Sequence, residues 1–203
     1  GATGYRGSLS NQIRTVTGGA NSPASGTGDT IDYISIATLG NSQDFGNLSS
    51  TREASHAFAS TTRGIFAGGS SSPAIQFVTI MTTGNAVDFG SLSAGTVAGH
   101  GCSNATRGIM KIRTGSYGNT MEFLTISSLG NSTDFGDATN NAGGAAAMAS
   151  ATRAIYAGGY GSPSFKTEIG SNEIATLGDA VTFGDLSYGA DHVAGLSNGH
   201  GGL

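Results

Sequence analysis

Residues 61–92 read TTRGIFAGGSSSPAIQFVTIMTTGNAVDFGSL, and three more stretches of the chain repeat their pattern. The second half returns as IDYISIATLGNSQDFGNL from Ile31, MEFLTISSLGNSTDFGDA from Met121 and IGSNEIATLGDAVTFGDL from Ile169. The shared phenylalanine falls at Phe45, Phe89, Phe135 and Phe183, spacings of 44, 46 and 48. The first half returns as ATRGIMKI from Ala105, ATRAIYAGG from Ala151 and, more weakly, QIRTVTGG from Gln12. Arg14, Arg63, Arg107 and Arg153 occupy one repeat position, and Pro23, Pro73 and Pro163 another. A fixed period of this size marks a repeat architecture, in which each unit buries its apolar face against its neighbours.

Within a unit the side chains alternate with a period of two, the strand period. Ile34 and Ile36, Val78 and Ile80, and Leu124 and Ile126 are expected on a buried face. Tyr33, Phe77 and Phe123 stand on the opposite face, where packing on a neighbouring sheet is their simplest role. Leu-Gly-Asn-Ser or its equivalent follows, a turn because Gly and Asn tolerate positive φ. Asp44, Asp88 and Asp134 then precede the phenylalanine, and Thr182 replaces the acid in the last copy, which fits a turn role better than a calcium site. Residues 50–58 and the alanine-rich 145–157 have helical composition. Their counterpart in the second unit, SAGTVAGHGCSNATRG, does not, so all are read as strands. The chain is therefore expected to be all-β, one domain of four repeats, 12–59, 60–104, 105–150 and 151–198. Residues 1–11 and 199–203 would be strands that close the domain or pair with a partner.

Composition narrows the function. The 203 residues include 35 Gly, three Pro, one Cys and no Trp, and charged residues are 11%. So few prolines exclude collagen. Nine Lys and Arg in a chain of net charge −4 leave no basic footprint for nucleic acid. The single Cys102 reads as a small buried hydrophobe. No stretch has the apolar length of a membrane span, and GATGYRGSLS at the start has no signal-peptide pattern.

The unit resembles a kelch repeat. GIFAGG (Gly64–Gly69) is similar to the kelch Gly-Gly strand and IDYISI to its second strand. NSQDFGNL matches the aromatic turn, with Phe45 where kelch has Trp, and REASHA, with Arg52 and His56, the fourth strand. His100 keeps the register of His56, while Ala146 and Ala194 replace it in the later copies. The resemblance implies a β-propeller of four or five four-stranded blades. The repeats also resemble those of tail-fibre and structural virion proteins of tailed bacteriophages, marine ones especially. That resemblance implies a non-enzymatic component of an extracellular particle, with other virion proteins or copies of itself as partners and a host-surface glycan or receptor as possible target. A kelch-type protein-interaction scaffold is the alternative, and a secreted carbohydrate-active enzyme a weaker one, since no pair of placed carboxylates stands out.

No catalytic residue, metal site or cofactor is expected. His192 follows Asp191, but no partnered nucleophile accompanies them, and the GGxxSP loops lack the lysine of a phosphate cradle. The four repeated arginines are expected to hold loops by donating to carbonyls, with a ring of glycan-binding guanidiniums as the other reading. Phe45, Phe89, Phe135 and Phe183 are expected in the core. Binding is sought where repeats differ, in the loops that hold Arg113, Tyr117, Tyr160, Phe165 and Lys166.

Overall fold

The computed structural model describes residues 5–20, 28–97, 100–113 and 118–196. These form eighteen strands and no helix, so no helix is long and apolar enough to cross a membrane. Four antiparallel four-stranded sheets follow one another along the chain. The first comprises β1 (Gly7–Ser10), β2 (Arg14–Gly18), β3 (Thr30–Ser35) and β4 (Gln43–Asn47). The second comprises β5 (His56–Ala59), β6 (Arg63–Ala67), β7 (Ala74–Thr79) and β8 (Val87–Ser91). The third comprises β9 (His100–Ser103), β10 (Arg107–Lys111), β11 (Thr120–Thr125) and β12 (Thr133–Asp137). The fourth comprises β13 (Ala146–Ala149), β14 (Arg153–Ala157), β17 (Glu168–Glu173) and β18 (Val181–Asp185). A short hairpin, β15 (Tyr160–Gly161) with β16 (Ser164–Phe165), is inserted in the last.

The hydrogen-bonded frame is one strand out of step with the repeat frame of the sequence. The segment that ends each sequence repeat, such as His56–Ala59, pairs with the arginine strand that follows it. Gly7–Ser10 is thus the first strand of the first sheet, paired with the arginine strand that follows it. The alanine-rich 145–157 forms β13 and β14, as the repeat argument requires against helix propensity.

Each Phe-Gly is a β-bulge. Ile75 pairs with Gly90 and Gln76 with Asp88, so Phe89 is the extra residue; Phe45, Phe135 and Phe183 are placed alike. Gly46, Gly90 and Gly136 have φ of 143°, 150° and 132°, which favours glycine. Close approach demands it too: a Cβ on Gly90 would lie 2.2 Å from the Gly130 carbonyl oxygen.

That approach is where sheets join. Gly84 N–H donates to Phe45 O (2.7 Å), Ala86 N–H to Asn47 O (2.8 Å), and Asn47 N–H to Asn85 Oδ1 (3.0 Å). The same three bonds recur from the second sheet to the third, through Gly130, Ser132 and Asn131, and from the third to the fourth, through Gly178, Ala180 and Asp179. Arginine adds a strut. Arg14, Arg63 and Arg107 donate to the carbonyls of Ile80, Ile126 and Ile174 in the next sheet, at 3.1, 2.8 and 2.8 Å. Each guanidinium also covers the ring of Tyr33, Phe77 or Phe123, within 4.7 Å of its centroid.

Three apolar clusters lie between the four sheets. Phe45 and Val16 pack with Phe66, Val78 and Ile80; Phe89 and Ile65 with Met110, Leu124 and Ile126; Phe135 and Ile109 with Tyr156 and Ile174. Cys102 is buried in the last of these, beside the Tyr156 hydroxyl at 3.6 Å. Two expectations of burial fail, for one reason. Phe183 is 58% exposed, and Ile34 and Ile36 are 44% and 53% exposed. A phenylalanine of one sheet is covered by the next sheet, and among the described residues no sheet follows the fourth or precedes the first. Phe89→Ala is expected to cost about 3–5 kcal/mol and Phe183→Ala less than about 1 kcal/mol, read by urea unfolding of the two variants side by side.

Candidate functional site

Each sheet is a meander in chain order, so the loops between its second and third strands share one end with the connections between sheets. Backbone bonds tie those segments together. Ser70 N–H donates to Glu53 O (3.1 Å), and Gly69 and Ser71 N–H both donate to Thr96 O (3.1 and 3.2 Å). Arg52, 2% exposed, donates from a guanidinium nitrogen to Ala74 O at 2.9 Å, and burial pulls its pKa below the ordinary value.

The first strands of successive sheets pack side by side, β1 on β5, β5 on β9 and β9 on β13. At this end they wall a cavity of about 650 Å³. Its lining takes Ser8, Ala57, His100 and Ala147 from the four first strands, and closes with Val193–Leu196, the stretch after the fourth sheet. Tyr5 stacks on His192, with centroids 5.0 Å apart and planes 17° apart. His192 Nδ1 lies 3.0 Å from Asp191 Oδ2. Ala54 and His192, both on the wall, hold positive φ of 55° and 54°, strain that a rigid surround must support.

His100 lines the cavity, and His56 holds the same place in the first strand beside it. His56 is fully buried, and burial pushes its pKa down to about 4. His100 is pushed down to about 3, first by burial and then by the neighbouring charges of His56, His192 and Lys111. Lys111, held by Asn140 Oδ1 at 2.9 Å, is itself lowered to about 8 by burial. At neutral pH both imidazoles are therefore uncharged; Arg6, Arg113 and Glu53 also line the cavity. Arg6 is committed to its own sheet, through Gly19 O (2.9 Å) and Asp32 (2.8 Å).

The structure brings most of the loop residues singled out by the sequence to one place. Arg113 lines the cavity, and its side chain lies beside Gly143, where a Cβ would meet Arg113 Cδ at 3.2 Å. Gly143 in turn exchanges backbone hydrogen bonds with Tyr160 at 3.0 and 2.8 Å. Phe165 meets the Tyr160 ring edge-on, centroids 5.3 Å apart, and stays 56% exposed. Lys166 N–H donates to Gly159 O (2.8 Å), which closes the hairpin. Tyr117 and residues 199–203 lie outside the described residues. Arg153 departs from the other three repeated arginines and pairs with Glu173 at 3.2 Å. The aromatic that Arg14, Arg63 and Arg107 cover is Ser171 in the fourth sheet. Sequence reasoning passed over Tyr5, Arg6 and Glu53 as site residues, since nothing in their local pattern sets them apart.

The arrangement offers an aromatic ledge on a hairpin and a cavity with polar and apolar walls. Among the described residues no group of three or more His, Cys, Asp or Glu is placed to hold a metal ion. No protein-family model matches the chain, and no curated protein is significantly similar to it.

The buried imidazoles set a pH dependence. Each has a folded pKa below its unfolded value near 6.5, so the unfolded chain binds more protons, and stability is lost as pH falls from about 6.5 toward 4 and 3. The native chain carries Ala146 at the equivalent place in the fourth sheet. The double variant His56→Ala, His100→Ala is therefore expected to fold, and its melting temperature to fall less than the parent's between pH 7 and pH 4.5.

Proposed function

We propose that the protein is a kelch-like β-propeller that serves as a non-enzymatic structural or receptor-binding component of a bacteriophage virion, on a tail fibre, the tail or the capsid surface. The observation that carries the binding half of this reading is the hairpin of the fourth sheet. Among the described residues it is the only hairpin inserted between the second and third strands of a sheet, and it presents Phe165 to solvent beside Tyr160, with Arg113 across Gly143. Flat aromatic faces next to a guanidinium suit sugar rings, which stack on the ring and hydrogen-bond to the cation. The packing of the sheets supports the propeller reading, with first strands side by side around one cavity and the remaining strands successively outward. The resemblance of the repeats to virion proteins supports the setting.

A kelch-type scaffold for protein partners is the second reading, favoured by the exposed apolar groups Leu39, Tyr188 and Leu196. The test separates the two. Purified chain is applied to an array of bacterial surface polysaccharides and to cells of candidate hosts, and purified virions are searched for its peptides by mass spectrometry. Phe165→Ala is expected to weaken polysaccharide or cell binding at least tenfold with an unchanged melting temperature. Binding that Phe165→Ala leaves intact, or virions without the peptides, would favour the scaffold.

A further inference from the structure

Arg113 joins the cavity to the hairpin of the fourth sheet. It lines the cavity, and its side chain lies against Gly143, where a Cβ would meet Arg113 Cδ at 3.2 Å and Nη1 at 3.3 Å. Gly143 exchanges two backbone hydrogen bonds with Tyr160, whose ring meets that of Phe165. A molecule that leaves the cavity over Arg113 therefore comes onto the aromatic ledge.

Below the loop end the cavity closes. Ser8, Ala57, Gly101 and Ala147 share one register position on the four first strands, all line the cavity, and none is larger than serine. Two residues further along the same face, Ala59, Ser103 and Ala149 are at most 7% exposed. Ser103 Oγ donates to Ala59 O at 2.8 Å across two of the strands. Tyr5 stacked on His192 supplies an aromatic wall, and Ser8, Glu53 and Arg113 supply a hydroxyl, a carboxylate and a guanidinium. About 650 Å³ between such mixed walls is the build of a small-molecule site. The positive φ of Ala54 and His192 belongs with it, since strain of this kind is held where a rigid surround serves a ligand.

We propose that the cavity reads the end of a glycan: it takes the terminal pyranose of a bacterial surface polysaccharide, and the sugars that follow cross Arg113 to the Tyr160–Phe165 ledge. This rests on the glycan-binding reading above and adds which part of the polymer is read. A sugar inside a polysaccharide carries chain on both sides, and a pocket closed at its inner end has room for chain on one side only. A pyranose offers an apolar C–H face to the stacked rings of Tyr5 and His192, and hydroxyls that donate to Glu53 and accept from Arg113. The ledge by itself is open to solvent and would take internal sugars as readily as ends.

The test presents lipopolysaccharide O-chains and capsular polysaccharides to the full chain, each intact and after partial acid hydrolysis, which multiplies chain ends at constant sugar mass. For those that bind, binding capacity per mass is expected to rise in proportion to the number of ends. Ala147→Met and Ser8→Tyr put side-chain volume into the cavity, and each is expected to weaken binding at least tenfold while the melting temperature holds. Capacity per mass unchanged by hydrolysis, or both cavity variants binding as the parent does, would overturn the proposal. The glycan reading then stands on the hairpin alone, provided Phe165→Ala still weakens binding. Binding of no polysaccharide at all removes the glycan reading and this proposal with it.

Discussion

Everything in this molecule depends on how closely one sheet can approach the next. The joint is a backbone-to-backbone contact, in which a carbonyl of a Gly-Asn or Gly-Asp turn comes within 2.6 Å of where a Cβ would stand on the bulge glycine of the sheet before it. Two main-chain hydrogen bonds then form across the joint, and a third runs from a main-chain N–H to the Oδ1 of the turn's Asn or Asp. This requirement accounts for glycines at the bulge and in the turn. The cost is conformational entropy in the unfolded chain. It is offset by an arginine strut and an apolar cluster at each joint, so small side chains and a thin core belong to one design.

Because each joint involves only adjacent sheets, stability is divided into nearest-neighbour terms. The same residue type therefore meets different fates along the chain. Phe135 is 1% exposed and Phe183 58%, with the same Phe-Gly pair and the same bulge. Nothing within a repeat distinguishes them; what distinguishes them is the next sheet. On the first sheet's outer face, beside the exposed Ile34, polar side chains replace two positions that are packed in the second sheet. Thr15 and Thr17 stand there where Gly64 and Phe66 occupy the second sheet and face its predecessor.

The strands, their order and the turns were legible in the sequence, because alternation and a fixed period write those features many times over. The sheet frame was not, since a strand between two others can hydrogen-bond to either and a repeat has no intrinsic starting point. The bulge was invisible as well: Phe-Gly shows where the chain bends, but only pairing shows that the phenylalanine is the extra residue. For the candidate site, Arg113, Tyr160 and Phe165 stood out as departures from the repeat, and Gly143 is what joins them in space. Tyr5 and His192 lie 187 residues apart, and their stacking is decided by the number and pitch of the sheets between them, a quantity no local pattern carries.

The fourth sheet is where the repeat relaxes. Ser171 replaces the aromatic, Thr182 the aspartate, Asn172 the apolar residue of the covered face, and a hairpin is inserted. The loss of the ring under Arg153 has a direct consequence, because a guanidinium with no face to cover and no carbonyl ahead turns to the nearest acid, Glu173, in water where such a pair contributes little. The same sheet carries the exposed Phe165 at one end and the exposed Phe183 on its face, so it is the part of the described structure least constrained by its own fold.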